Sequence, residues 1–161
     1  MAGCALALVV LALQGCQDRP LAERLVCAYD EAAVAAYAAD DFAGLSKVAG
    51  EAEQDKVRAR VARKSRAGVR LEARLDRVEV TAVSRPGPDE LIVDATERWR
   101  YHDRPVRPGL SPSPEIEAVV RLTYDFIRRD GGWRVQQVRA ASTDYQGHRP
   151  ASAHLGEPVA R

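Results

Sequence analysis

The hydrophobic period of this chain changes once, at Gly68, and that change limits the fold more than any other feature. Before Gly68, apolar residues recur at spacings of three and four, the mark of a helix that buries one face. Leu25, Tyr29, Ala32, Ala36 and Tyr37 form such a face, in an Ala-rich segment of high helix propensity. Asp40-Asp41 interrupts it. Asp41 is placed to cap a second, short helix carrying Phe42, Leu45 and Val48, and Gly50 to end that piece. A third helix is expected from about Glu51 to Ala67. Glu51, Glu53 and Asp55 crowd its start, while Arg63, Lys64 and Arg66 crowd its end, the order that complements a helix macrodipole. Gly68 stops it.

After Gly68 the period is two. Val69, Leu71, Ala73 and Leu75 alternate with charged residues, then the phase slips and Val78, Val80 and Ala82 continue. One extra residue near Asp76-Arg77, a β-bulge, accounts for such a slip. Arg85-Pro86-Gly87-Pro88-Asp89 reads as a turn. A second strand is expected over Leu91–Tyr101, with Leu91, Val93, Ala95, Glu97, Trp99 and Tyr101 on one face. Four prolines and a glycine make Asp103–Glu115 a long loop. A third strand follows over Ile116–Arg128, with Ile116, Ala118, Val120, Leu122, Tyr124 and Phe126 on one face. Asp130-Gly131-Gly132 is a hairpin turn, and Trp133, Val135 and Val138 mark a fourth strand. From Ser142 the composition is polar and rich in Pro, Gly and Ala, so residues 142–161 are expected to be a disordered tail. Helices first, then four strands joined largely as hairpins, give an α+β class with N-terminal helices packed on a curved antiparallel four-stranded sheet. Such a sheet, wrapped on a long helix, forms a cone with a central pocket.

The start of the chain points to export. Cys4–Leu13 is an uncharged apolar run of ten residues. A membrane-spanning helix needs about 20 such residues, whereas the apolar region of a secretory signal needs roughly 7–15. Leu13-Gln14-Gly15-Cys16 follows, and it resembles a bacterial lipobox: an aliphatic residue, then a small residue just before the cysteine. That resemblance implies that Cys16 is acylated on its thiol and cleaved to become the new N-terminus. The expected organisation is a lipoprotein signal peptide at 1–15, a lipidated tether at 16–20, one domain at 21–141 and the tail. The expected location is the bacterial cell envelope, after secretion across the inner membrane.

All 24 basic and 23 acidic residues lie after position 15, so the exported part is nearly neutral. That balance argues against a nucleic-acid partner, which selects a basic excess. With Cys4 in the leader and Cys16 lipidated, Cys27 stands alone, and no intrachain disulfide is expected. No paired-ligand spacing suggests a metal, no Gly-rich loop suggests a phosphate, and no cofactor is expected.

The second half carries a family resemblance. Glu97-Arg98-Trp99-Arg100-Tyr101, Arg121-Leu122-Thr123-Tyr124 and Gly131-Gly132-Trp133-Arg134-Val135, behind a leading helix with Tyr37, Asp40-Asp41-Phe42 and Leu45, look like the nuclear transport factor 2-like superfamily. Within it they are similar to the intermembrane-space (IMS) domain of chloroplast division proteins and its bacterial relatives. The resemblance implies a cystatin-like cone over about Leu21 to Ala141. It also implies a partner-binding module without chemistry, although other superfamily members are isomerases, dehydratases or polyketide cyclases.

Glu97 breaks the pattern of its strand, because it shares a face with Ala95, Trp99 and Tyr101. A carboxylate there must be hydrogen-bonded or must face a wet pocket. Glu97, Trp99, Tyr101, Tyr124 and Tyr37 are therefore the pocket candidates, with the aromatic residues and Trp133 also suited to a core. The basic run Lys56, Arg58, Arg60, Arg63, Lys64 and Arg66 reads as a solvated face. No catalytic residue is assigned. The leading expectation is a membrane-anchored binding or scaffold module, with a protein partner or a small apolar ligand and an oligomeric state left open, dimer included. The alternative is a pocket enzyme of isomerase or cyclase type using Glu97 with Tyr37, Asp40 or His102, or an apolar-ligand carrier. A scaffold predicts a filled cone and an exposed apolar patch. A carrier predicts a cavity of roughly 300 Å³ or more. An enzyme predicts a titratable group with a shifted pKa deep inside.

Overall fold

The structure, a computed structural model, describes residues 4–146, with side chains from Asp18 onward. Helix α1 (Cys4–Ala39) leads into a single turn of helix, α2 (Leu45–Val48), and then α3 (Glu51–Arg66). Four long strands follow: β1 (Val69–Ser84), β2 (Glu90–Pro105), β3 (Ile116–Arg129) and β4 (Gly132–Gln146). They form one antiparallel sheet in the order β1-β2-β3-β4. This is the expected α+β arrangement of helices on a four-stranded sheet. The acylation expected at Cys16 concerns a side chain outside the described set, as does the tail from residue 147 on. Among the described residues no helix is long and apolar enough to cross a membrane.

Helix α1 buries Ala22, Val26, Tyr29, Ala32, Ala33 and Ala36 against the sheet. Small residues there let the helix axis approach the strands closely, and Tyr29 fills the space their methyl groups leave. Asp40 takes the left-handed conformation that ends α1, with φ 57°, a conformation Asp tolerates better than bulkier residues. The main core joins α1 to Leu45, Val57, Val61, Val80, Leu91, Val93, Tyr124, Phe126 and Val135. A smaller cluster of Leu71, Tyr101, Ala118 and Val120 packs at the other end of the sheet.

Turns and bulges account for most of the chain's local geometry. Asp130 and Gly131 both have positive φ, 51° and 77°, as a two-residue hairpin with matching twist requires. Gly68 ends α3 with φ 74°. The slip in β1 falls between Leu75 and Arg77, as its sequence pattern indicates.

Several expectations need correction. A second irregularity between Val80 and Ala82 reverses the phase again, so Ala82 is exposed and Val83 packs on the core. Asp41 does not cap α2; its Oδ1 accepts from the Ala43 amide at 3.0 Å, in the turn before that helix. Gly50 is no left-handed stop. It is extended, with φ −71°, and forms the N-cap of α3. A Cβ there would lie 2.6 Å from Gln136 Nε2, so a larger residue would displace the end of that flexible side chain.

The segment 16–20, expected as a lipidated tether, is helical. Asp18 pairs with Arg85 at 2.6 Å, and Arg19 donates to the Val80 carbonyl at 2.6 Å. Pro20 lies inside this run; having no N–H, it leaves the Cys16 carbonyl without its helical donor. Strand β2 runs on to Pro105, which shortens the Pro-rich loop. Strand β4 runs to Gln146, so 142–146 is sheet and not tail. Two register shifts against β3 break its apolar alternation, and the pairing persists because the β3 backbone supplies it whatever the side chains are.

Candidate ligand cavity

Between the two core clusters the cone is hollow. The cavity measures about 470 Å³, within the range of small-molecule sites. Tyr37, Glu97, Trp99, Tyr101 and Tyr124, the pocket candidates of the sequence, all line it. They come from three elements: Tyr37 from the last turns of α1, the next three from one face of β2, and Tyr124 from the inward face of β3. The alternation of a strand places Glu97 inward because Ala95 and Tyr101 are inward. A scaffold's filled cone is therefore not what the structure holds. Among the described residues the exposed large apolar side chains are Val106 and Leu110, both in the Pro-rich loop.

Glu97 is fully buried and well bonded. Trp99 Nε1 donates to its Oε2 at 2.8 Å, and the Tyr124 hydroxyl lies in a short hydrogen bond to its Oε1. Tyr124 also meets Asp30 Oδ1 at 3.2 Å. Asp30, on α1, is 3% exposed, and its Oδ2 has no partner. Tyr124 owns one hydroxyl proton and touches two carboxyl groups. With Glu97 accepting on both oxygens, the arrangement closes if Glu97 is the carboxylate and Asp30 is the acid that donates to Tyr124 Oη. Electrostatics agree in direction. Burial, and then the charge of Glu97, push the Asp30 carboxyl well above the carboxylate range. Burial raises Glu97 as well, against the lowering effect of its bonds from Tyr124 and Trp99. Burial is also the main cause that raises the hydroxyls of Tyr29, Tyr101 and Tyr124, so these stay neutral donors.

Three charged residues that the sequence analysis left on a solvated face or inside a helix start belong to this cavity. Glu53 is 1% exposed and ties α3 to both neighbours. It accepts from the Tyr29 hydroxyl at 2.8 Å, from Lys56 Nζ at 2.6 Å and from the Val138 amide at 3.2 Å. Lys56 also reaches the Val138 carbonyl at 3.1 Å. Arg60 lines the cavity with its guanidinium 3.5 Å from the Tyr37 hydroxyl. The Lys56 and Arg139 side chains, 37% and 47% exposed, mark the solvent side, whereas Asp30 and Glu97 mark the floor. The cavity thus has an acidic floor, aromatic walls and a basic rim.

The other partners considered for Glu97 are elsewhere. Asp40 pairs with Arg70 at 2.8 Å, and His102 with Glu72 at 3.1 Å. Asp103 pairs with Lys64 at 2.7 Å and not with His102, because strand neighbours point to opposite faces. On the floor, the missed residue is Asp30. Its signal was present: Val26, Asp30, Ala33 and Tyr37 lie four, three and four apart, so Asp30 interrupts an apolar helix stripe as Glu97 interrupts an apolar strand face. Glu53, four residues before Val57 and eight before Val61, repeats that signal.

No family model matches the chain, and no curated protein matches it. Among solved structures it is similar to the crystal structure of the intermembrane space region of the chloroplast protein ARC6. The TM-score is 0.63 at 17% identity, covering 75% of this chain and 94% of that one. At that identity the likeness establishes a shared fold.

Proposed function

We propose that this chain is a bacterial envelope lipoprotein, held to the membrane by acyl groups on Cys16, whose cone-shaped domain binds a small ligand without transforming it. The observation that carries this reading is the hollow, aromatic-walled cone with a pair of carboxyl groups on its floor. We place the domain with the nuclear transport factor 2-like superfamily and with IMS-type partner-binding modules; the shared fold with the ARC6 region supports that placement. A concave site with apolar walls and a few convergent polar groups is the usual form of a ligand pocket, and it favours binding a small molecule over scaffolding through an exposed patch.

The same floor supports a second reading, a pocket enzyme of isomerase or cyclase type. Asp30 held as an acid beside a carboxylate and a tyrosine is the kind of pairing that transfers protons. Steady release of an altered ligand would favour the enzyme, and recovery of unchanged ligand would favour the binding module.

Two measurements test the proposal. Wild type labelled with a palmitate analogue should carry label and sediment with membranes, and Cys16→Ser should lose both. The neutral apolar dye Nile red should fluoresce on binding wild type and fail to do so on Leu122→Trp, which fills the cavity. Dye bound equally by both variants would mean that the cone is not the binding site.

A further inference from the structure

The floor of the cavity carries a pair of buried carboxyl groups that no cation among the described residues neutralises. Asp30 and Glu97 are each almost fully buried and share Tyr124. Among the described residues no Lys, Arg or His side chain lies within ion-pair distance of either. The basic groups of the cavity are engaged elsewhere: Lys56 with Glu53, Arg139 with Asp125, and Arg60 at Tyr37. Glu97 has donors on both oxygens, whereas Asp30 Oδ2 has none. A buried carboxylate without a cation is costly and is normally paired. Here its neighbours are instead the rings of Tyr29, Tyr37, Trp99, Tyr101 and Tyr124 around the cavity. Aromatic rings and buried carboxyl groups together suit a desolvated ammonium better than a neutral group.

We propose that the ligand of this cavity is a small organic cation, an amine with an apolar body, whose ammonium supplies the missing partner of Asp30 and Glu97. This rests on the reading of the cone as a ligand site and names the class of ligand it takes. The ammonium donates to Asp30 Oδ2 and converts the protonated Asp30 into a carboxylate, so each binding event expels one proton to solvent. The apolar body lies against Leu71, Val120 and Leu122. Other groups facing the floor do not provide that proton. Tyr29, Tyr124 and Cys27 are held in their neutral forms by burial. Glu53, Lys56 and Arg60 on α3 remain paired as described, and Glu31 on α1 is exposed. Affinity therefore rises with pH as the Asp30 proton becomes easier to remove, while an alkylamine stays charged up to about pH 10.

The test is calorimetry on the full chain with three probes of one shape: phenethylamine, phenethyl alcohol and hydrocinnamate. The amine should bind about tenfold more tightly than the alcohol or better, and the carboxylate more weakly than either. Amine affinity should climb with pH, and the heat should vary with buffer ionisation as proton release demands. Asp30→Asn should lose about tenfold in amine affinity and less in alcohol affinity. Alcohol or carboxylate binding as tightly as the amine overturns the cation and leaves the pocket standing. So does an amine affinity indifferent to pH and to Asp30→Asn. Failure of the amine, the alcohol and Nile red together overturns the pocket itself. The three-probe comparison needs only wild type, so it decides the matter even if Asp30→Asn does not fold.

Discussion

Glu53 on α3 and Glu97 on β2 are both almost fully buried, at 1% and 0% exposure, and both line the cavity, yet their surroundings are opposite. Glu53 has a lysine at 2.6 Å, a tyrosine hydroxyl and a backbone amide. Its bonds join α3 to α1 and β4, and its charge is neutralised where it stands. Glu97 has a tyrosine, an indole and a second carboxyl group, with no cation among the described residues. Its bonds stay within the floor of the cavity. The same residue type at the same depth is a fastening in one place and a receptive site in the other. The difference is the partner's charge, because a desolvated carboxylate is stable only with a counter-charge or a proton.

The largest effect expected from breaking this contrast is at Glu53. Glu53→Ala leaves the Tyr29 hydroxyl and the Val138 amide without their acceptor and frees Lys56. The expected loss is about 3 kcal/mol of unfolding free energy, measured by urea denaturation. A loss below about 1 kcal/mol would mean that the knot does not hold α3.

Glu97→Ala should cost less, about 1–2 kcal/mol. The Trp99 N–H loses its acceptor, but the Tyr124 hydroxyl turns to Asp30, and the repulsion between two acids is relieved. The same denaturation experiment ranks the two sites. An equal or larger loss than at Glu53 would make Glu97 the stronger tie of the two.

Lys56→Met should move Glu53 toward the condition of Glu97. The carboxylate keeps two donors but loses its cation, and the lysine is partly solvent-exposed, so the cost should be about 1 kcal/mol. Thermal melts at neutral pH compare the variant with wild type; a loss as large as that of Glu53→Ala would mean that the cation alone holds the knot.

The smallest mutational effect is expected for Glu97→Gln, within about 0.5 kcal/mol of wild type near neutral pH. The amide oxygen still accepts, and a buried charge is gone. Its clearer signature is in the pH profile. Asp30 and Glu97 have folded-state pKa values raised above the unfolded ones, near 3.9 and 4.3. The native state therefore holds more protons than the unfolded chain across that interval. The stability these groups contribute is complete below the unfolded pKa and is lost as pH rises through the raised native values. Wild type should lose stability over that window, and Glu97→Gln should flatten the loss. An unchanged slope would mean that the two carboxyls do not share a proton.

Much of the fold was legible because its signals are local. The helical face of Leu25 to Tyr37, the stop at Gly68, the bulge near Asp76 and the Asp130-Gly131 turn each follow from a few adjacent residues. Errors came where a local rule met a distant contact. Ala82 is exposed because of a second bulge, and Ser142 to Gln146 form strand because β3 supplies their pairing. The site was half legible. A strand's period of two exposed Glu97 as misplaced at once, whereas the wider apolar arc of α1 concealed Asp30 among alanines.

By itself the sequence determined the order of elements, the α+β class, the facing of Glu97, Trp99, Tyr101 and Tyr124, and the apolar run ahead of Cys16. Each of these rests on spacing along the chain. Tertiary structure alone decided that the cone is hollow, that Asp30 from α1 meets Glu97 from β2 across Tyr124 of β3, and that Lys56 serves Glu53 and not Glu97. Those outcomes depend on the distance between sheet and helices and on which charges that distance brings together. Residues remote in the chain set both, so no local period records them.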